Sequence, residues 1–244
     1  MPRRPREFVP TVAQAAALPD FSDPIAVRGL AAVTLLRRTL EEKYEADPWA
    51  FVHEVVLTLD QISGETKRVP DHAYLQQVVG EWQASPLLAI AKSRRMILTW
   101  LLVAVNYWLA RYRPGSKIGF FARKQGEKET EGSNELVWRA KFIHDHLPDV
   151  LAPRPVDYST GRLVFTDTLS EILALAQGPH QARQYTYTSV LCDEMAFWEQ
   201  ALETYVALRP TAEGGGKITC VSSAAPGFFE QIVFDRLPGG RVAA

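Results

Sequence analysis

The most constraining feature of the sequence is an apolar segment that ends in two adjacent carboxylates. Residues 186–192 carry β-branched and apolar side chains typical of a buried strand, and Asp193 and Glu194 follow directly. This is the Walker B pattern, in which the first acid holds Mg²⁺ through its water shell and the second orients an attacking water. The alternative is a strand followed by solvated acids. Both interpretations predict a buried strand before Asp193.

Composition favours one globular α/β domain with a small appendage. The chain has 244 residues, of which 47% are hydrophobic and 23% charged, and its formal net charge is -1. This charge excludes a globally basic nucleic-acid-binding protein, so any DNA contact requires a local patch. Candidates for such a patch, which could equally form a solvated basic surface, are Arg111, Arg113, Lys117, Lys124 and Lys128.

The two cysteines and the N-terminus indicate a protein that stays where it is made. Cys192 and Cys220 lie in apolar segments, which favours buried reduced thiols over a disulfide or a zinc site. The basic segment at residues 3–6 is not followed by the apolar core of a signal peptide. The apolar helix predicted from Ile97 has about a dozen apolar residues, fewer than the roughly 20 that a bilayer requires.

A second segment has the order strand, loop, helix. Residues 86–91 are apolar and of strand length, residues 92–100 form the loop, and the helix continues to about Arg113. Such a loop presents backbone N–H groups and a helix N-terminus to a polyphosphate, with Lys92 supplying charge and Thr99 a hydroxyl for Mg²⁺. The loop contains no glycine and does not match the standard pattern G-x-x-x-x-G-K-[ST].

A third strand ends in small hydroxyl residues. Residues 218–221 are followed by Ser222 and Ser223, which could reach a γ-phosphate or its attacking water from a neighbouring strand. In open α/β folds, ligands bind at the carboxyl ends of parallel strands, so we expect the three segments to converge there. Helices are predicted at 24–45 and 134–147, the first with Leu30, Val33, Leu36 and Leu40 on one face. His144, Asp145 and His146 close the second, where a metal site or a simple helix end is possible.

Together these segments resemble the N-terminal ATPase domain of the large terminase subunit of tailed bacteriophages. The resemblance rests on residues 92–100 as a divergent Walker A loop, 191–198 as Walker B and 218–227 as a coupling motif, with a further similarity at 142–148. It covers roughly residues 48–235. It implies an N-terminal arm and helix at 1–47, a motor domain at 48–235, and at 236–244 the start of a linker to an absent nuclease domain.

The resemblance implies a fold, an activity and site residues. The fold is an α/β P-loop NTPase of the additional-strand catalytic-glutamate type, with a mainly parallel sheet flanked by helices. The implied cofactors are ATP and Mg²⁺, with Thr99 and Asp193 on the metal and Glu194 as the catalytic carboxylate. Residues implied to bind the nucleotide are Lys92, Ser93, Arg95, Met96, Ile97, Leu98, Thr99, Pro70, Tyr74, Ser222 and Ser223.

Charged residues and a loop position complete the implied site. Arg94 corresponds to a Walker A arginine that stabilises transition-state charge in cis, while Arg139 and Arg123 are candidates for the arginine finger of a neighbouring subunit. Such a finger raises the rate of phosphoryl transfer by roughly 10³ to 10⁵. Many members of the family carry glycine at the position of Ile97.

The implied partners are double-stranded DNA, the portal protein, the small terminase subunit and further copies of the chain in a ring on the capsid. In isolation the chain could be a monomer. The implied location is the host cell cytoplasm, at the portal of the viral procapsid and outside any membrane, and no nuclease activity is expected. Two alternatives remain open: another nucleic-acid translocase or helicase, favoured by Asp193 and Glu194, and a catalytically silent assembly module, favoured by the glycine-free loop.

Overall fold

The computed structural model describes residues 24–60, 62–93, 96–123, 130–152 and 154–234. The helices are α1 (Pro24–Ala46), α2 (Pro48–Val55), α3 (Ala73–Ala84), α4 (Leu98–Tyr112), α5 (Glu131–Asp145), α6 (Pro179–Ala182), α7 (Ala201–Glu213) and α8 (Phe228–Val233). The strands are β1 (Leu57–Leu59), β2 (Thr66–Arg68), β3 (Leu87–Lys92), β4 (Lys117–Ala122), β5 (Val156–Ser159), β6 (Arg162–Phe165), β7 (Ser170–Leu175), β8 (Ser189–Asp193) and β9 (Lys217–Ser223).

A seven-stranded sheet forms the centre of the described part of the chain. Its strand order is β3-β9-β8-β4-β7-β6-β5, parallel from β3 to β7 and antiparallel across β7, β6 and β5. β9 lies between β3 and β8, so the strand before the loop and the strand before the carboxylates are separated by one additional strand. The register pairs Lys92 with Ser223 and Asp193 with Val221, which brings the three predicted strand ends to one edge.

Apolar residues cover both faces of this sheet. Helices α2, α3, α4 and α5 pack on one face, and residues of α7 and α8 pack on the other. Residues 101–105 of helix α4 are all fully buried. Burial on nearly all sides explains why the helix is apolar around its whole circumference. Among the described residues, no helix combines the length and the apolarity needed to cross a membrane.

The predicted elements are present, with shifted bounds. The helix predicted at 134–147 spans Glu131–Asp145, and the strand predicted at 218–221 spans Lys217–Ser223, so that Ser222 and Ser223 lie within it. The carboxylate strand begins at Ser189 instead of 186 and is buried along its length. The apolar face of α1 is only partly covered: Leu40 packs on the core, but Leu30, Val33 and Leu36 are 43%, 48% and 51% exposed. The apolar face predicted for α1 is therefore covered at Leu40 and largely exposed at the other three positions.

One of the five residues of the predicted basic patch is buried. Arg111 is buried and forms an ion pair with Glu41, so it is unavailable to a DNA backbone passing over the surface. Lys117 forms an ion pair with Glu171. Lys124 and Lys128 lie outside the described residues. The assignment of Arg111 to a surface patch is therefore wrong. Its guanidinium is buried because it pairs with Glu41 of α1.

Candidate active site

An ion pair joins the ends of β3 and β8 at the carboxyl edge of the sheet. Lys92 Nζ lies 3.0 Å from Glu194 Oε1, and the two side chains are 11% and 33% exposed. The predicted loop lysine and the predicted catalytic carboxylate are thus in direct contact, although 102 positions separate them in the sequence. The convergence expected from the strand ends is present.

Thr99 and Asp193 form a second pair beside the first. Thr99 Oγ1 donates to Asp193 Oδ1 over 3.3 Å, and Lys92 Nζ donates to Thr99 Oγ1 over 3.4 Å. A hydroxyl and a carboxylate oxygen are ligands that Mg²⁺ accepts, together with water and phosphate oxygens. The donor set therefore fits the metal that the sequence predicts at these two residues.

The electrostatics of Asp193 are dominated by burial. The side chain lies at the end of a buried strand, and desolvation raises its pKa to about 6. The positive charge of Lys92 opposes this rise in pKa, and the negative charge of Glu194 adds to it. A buried carboxylate with a raised pKa favours a cation beside it, as expected of a metal-binding acid.

Two residues of the site have left-handed backbone conformations. Ile97, directly before α4, has φ 57°, and Glu194, directly after β8, has φ 54°. Apart from glycine, residues rarely adopt this region; asparagine does so more often than most, and β-branched residues least. Such conformations concentrate at functional sites. The left-handed turn at Ile97 also explains why glycine suits this position.

The loop between β3 and α4 is supported by α3. The Ser93 amide lies 3.2 Å from Met96 Sδ, and the Tyr74 hydroxyl donates to the Met96 carbonyl over 3.3 Å. Leu98 is 2% exposed, so its side chain belongs to the core and only its backbone can face a ligand. The assignment of Leu98 to the nucleotide-binding loop stays a prediction that concerns its backbone. Arg94 and Arg95, both predicted site residues, lie outside the described residues.

Aromatic residues flank this loop on the α3 side. Pro70 is half-buried, and the His72 ring stacks on the Tyr74 ring with centroids 5.6 Å apart and planes 19° apart. Sequence reasoning missed His72. Its position two residues before Tyr74, at the start of a helix, was the available signal.

The neighbouring strand β9 contributes a buried hydroxyl. Ser222 is fully buried, and its Oγ accepts from the Ala196 amide over 3.1 Å and lies 3.5 Å from Glu194 Oε2. Ser223 is half-buried opposite Lys92. Trp198 Nε1 donates to the Asp193 carbonyl over 3.0 Å, a contact that sequence reasoning did not identify. Ser222 thus links Glu194 to the turn that follows it.

The two other predicted arginines differ in exposure. Arg139 on α5 is 13% exposed, forms an ion pair with Glu135 and lies 5.2 Å from the Trp100 ring centroid. Its charge also lowers the pKa of Asp193 in the same subunit. Arg123 is exposed at the end of β4, with its guanidinium 5.3 Å from the Phe197 ring. The described contacts of Arg139 are with Glu135 and Trp100, and a role in a neighbouring subunit stays a prediction for both arginines.

The histidines at the end of α5 have other partners. His144 Nδ1 lies 2.9 Å from the Tyr107 hydroxyl, and the His146 ring stacks on Phe142. Within the described ranges, no group of three or more histidine, cysteine, aspartate or glutamate residues could hold a metal ion. Cys192 and Cys220 are both buried free thiols.

Several solved structures have a fold similar to that of this chain. No protein-family profile matches the chain. No curated protein matches it in sequence. The large terminase ATPase domain of Thermus phage P74-26 is 17% identical with a TM-score of 0.56, the match covering 71% of this chain and 73% of that one. A mutant of that domain is 16% identical, with a TM-score of 0.57 and the same coverage.

The large terminase of bacteriophage HK97 is 13% identical, with a TM-score of 0.59. The match covers 79% of this chain and 40% of that protein, so this chain spans less than half of the HK97 terminase. At these identities the likeness concerns the fold. These structures confirm the predicted α/β architecture with a mainly parallel sheet and the resemblance on which it was based: the chain has the fold of the ATPase domains of phage large terminases.

Proposed function

We propose that this chain is the ATP-hydrolysing motor domain of a viral DNA-packaging terminase and drives double-stranded DNA into the procapsid. The observation that carries the proposal is the meeting of Lys92, Thr99, Asp193 and Glu194 at one sheet edge, in the fold of terminase ATPase domains. A cation, a hydroxyl and two acids are the groups that phosphoryl transfer requires.

Lys92 is proposed to bind the phosphates of ATP. Its ammonium lies beside Glu194 and Thr99, where phosphate oxygens bound at the start of α4 would compete with the glutamate for it. Thr99 and Asp193 would hold Mg²⁺, which neutralises charge on the transferring phosphoryl group when bound. In the same loop Arg94 is proposed to stabilise transition-state charge. Arg139 or Arg123 of a neighbouring subunit is proposed to stabilise the same charge as an arginine finger.

Glu194 is proposed to orient the attacking water. Its Oε1 is occupied by Lys92 and its Oε2 faces Ser222, so release of the lysine would free one carboxylate oxygen while the serine continues to orient the other. Because Ser222 also accepts from the Ala196 amide, a movement of Glu194 would be transmitted to the turn after β8. This link is the proposed start of coupling between hydrolysis and motion.

The adenine is proposed to lie near Pro70 and Tyr74, with the stacked His72 extending the aromatic surface. Support comes from the Tyr74 hydroxyl, which bonds to the loop that would hold the phosphates. The proposed partners are double-stranded DNA, the portal protein, the small terminase subunit and neighbouring copies in a ring. This assembly would operate in the host cytoplasm at the procapsid portal.

Phosphate release from Mg²⁺-ATP, measured with and without double-stranded DNA, tests the proposal. We expect hydrolysis that increases when DNA is added, and displacement of a bound third strand as the domain moves along a duplex. Nucleotide binding without hydrolysis under any of these conditions would contradict the motor function. Absence of both binding and hydrolysis would favour the silent assembly module.

A further inference from the structure

We propose that Trp198 is a positioning residue for Glu194: its indole N–H fixes the turn after β8 and thereby the position of the glutamate carboxylate. The inference rests on the proposed function, because it takes Glu194 as the group that orients the attacking water. Trp198 acts through the backbone of the turn, without a contact of its own to nucleotide or water. Its side chain is 7% exposed and lies against the end of β8.

The turn after β8 requires contacts that hold it in place. Glu194 has a left-handed φ of 54°, and residues 195–197 form a single turn of 3₁₀ helix. Within the turn, the Phe197 amide donates to the Glu194 carbonyl over 3.0 Å, and the Trp198 amide donates to the Met195 carbonyl over 3.2 Å. Short 3₁₀ turns and left-handed residues other than glycine are both weakly favoured, so they persist only where the surroundings restrain them.

The indole of Trp198 supplies such a restraint. Its Nε1 donates to the Asp193 carbonyl over 3.0 Å, and both residues are buried. The bond joins the residue before Glu194 to the residue that follows the 3₁₀ turn, so the turn is tied together on both sides of the glutamate. The indole ring packs on Phe121 of β4, with ring centroids 6.3 Å apart. This packing fixes the place of the indole, and the hydrogen bond fixes the turn relative to it.

The position of the turn determines where the Glu194 carboxylate lies. Its Oε1 is 3.0 Å from Lys92 Nζ, and its Oε2 is 3.5 Å from Ser222 Oγ. The second distance is longer than that of a strong hydrogen bond, so a small shift of the turn away from β9 would separate the carboxylate from the hydroxyl. A turn that fluctuates more would hold the carboxylate in place for less of the time. This would lower kcat without removing a group that binds the nucleotide.

A second buried tryptophan, Trp82 on α3, provides a matched control. It is 1% exposed, and its ring packs on that of Trp108. Its Nε1, in contrast to that of Trp198, has no hydrogen-bond partner among the described residues. Phenylalanine at either position keeps an aromatic ring and leaves a void of similar size, so both variants should lose stability. Only Trp198→Phe also removes a hydrogen-bond donor from the turn after β8.

The test compares amide hydrogen exchange and ATP hydrolysis in the wild type, Trp198→Phe and Trp82→Phe. In Trp198→Phe we expect the backbone amides of residues 196–198 to exchange roughly tenfold faster. We expect kcat to fall roughly tenfold while the Kd for Mg²⁺-ATP stays within about twofold. Trp82→Phe should keep the wild-type exchange in this turn and the wild-type kcat. A role of Trp198 in packing alone would lower the free energy of unfolding in both variants and leave the kcat of the folded chain unchanged.

The two readouts separate a failure of this inference from a failure of the proposed function. Unchanged exchange at residues 196–198 in Trp198→Phe, or faster exchange with a wild-type kcat, would overturn the positioning role. If the wild type binds ATP but does not hydrolyse it, the proposed function fails, and the exchange alone decides whether Trp198 holds the turn.

Exchange of the indole protons in the wild type decides the case in which Trp198→Phe does not fold. The Trp198 indole proton should exchange roughly tenfold or more slowly than that of Trp82, which is buried without a partner among the described residues. Equal exchange of the two indole protons would show that the bond to the Asp193 carbonyl does not hold the turn, and the inference would be wrong.

Discussion

Lys92 and Glu194 form an ion pair of 3.0 Å that connects the end of β3 with the end of β8. The pair occupies the two groups that hydrolysis would require, the cation for the phosphates and the carboxylate for the water. Phosphate oxygens that attract Lys92 would release Glu194 at the same time. Binding and activation would therefore be linked through one contact, and the following predictions examine its parts.

Replacing Lys92 by alanine is expected to weaken Mg²⁺-ATP binding roughly tenfold or more, since a charge-assisted bond to phosphate is lost. Calorimetric titration measures the change in Kd. Lys43→Ala is the matched control, because Lys43 also pairs with a glutamate but is 47% exposed on the helix α1. An unchanged Kd in Lys92→Ala would identify Lys92 as a structural partner of Glu194 only.

The left-handed conformation of Ile97 predicts a difference between two substitutions. Ile97→Gly and Ile97→Ala both remove the packing of the side chain, but only glycine adopts φ 57° without strain. We expect the glycine variant to be more stable than the alanine variant by about 0.5–1 kcal/mol in urea unfolding. Equal stability, or a more stable alanine variant, would show that this turn is not left-handed in solution.

The raised pKa of Asp193 predicts that Asp193→Asn stabilises the fold in a pH-dependent way. The folded-state pKa of about 6 exceeds the ordinary value of 3.8, so ionisation of Asp193 destabilises the fold by an amount that grows between about pH 4 and pH 6 and is complete above pH 6. In the absence of nucleotide, we expect the free energy of unfolding of the asparagine variant to exceed that of the wild type by about 1–3 kcal/mol at pH 7.5. This gain should shrink as the pH falls through 6 towards 4, where the carboxyl becomes protonated.

The control for that comparison is Asp71→Asn, at an exposed aspartate before α3. It should change the unfolding free energy little at either pH. Denaturant unfolding at pH 7.5 and pH 5 measures both variants. A gain from Asp193→Asn that is independent of pH would contradict the effect of burial on this carboxyl.

Ser222 predicts a loss of turnover with binding retained. Ser222→Ala removes the hydroxyl that faces Glu194 Oε2 and leaves the Ala196 amide without its acceptor, so the carboxylate is less well oriented. We expect kcat to fall about five- to tenfold while the Kd for ATP changes little. Ser189→Ala is the control, since Ser189 is also fully buried but its Oγ has no partner in the described part of the chain.

Much of the fold could be predicted from periodicity and strand ends. The three apolar segments that lead to Lys92, Asp193 and Ser223 are strands of one parallel sheet, and the meeting of their ends at one edge follows from ligand binding at carboxyl ends. The strand at Ser170–Leu175 and the hairpin beside it were less evident, because their mixed polarity reflects half-covered positions at one side of the sheet.

Contacts that depend on how the helices pack could not be predicted. Buried Arg111 pairs with Glu41 in a different helix, and Leu30 is exposed although it shares a helical face with Leu40, which packs on the core. The bond from Tyr74 to the Met96 carbonyl required the position of α3 against the loop. Each depends on tertiary packing, which determines which apolar or charged positions are covered without changing the local pattern.

The most direct test of the account is phosphate release from Mg²⁺-ATP by the wild-type chain and by Glu194→Gln, across a wide range of protein concentration. Glutamine keeps the size of the side chain but removes the carboxylate that we propose orients water, so the variant should bind ATP and release no phosphate. Wild-type turnover should rise faster than protein concentration if a neighbouring subunit supplies an arginine. Equal turnover by Glu194→Gln and the wild type would contradict the assignment of Glu194 and, with it, the proposed mechanism.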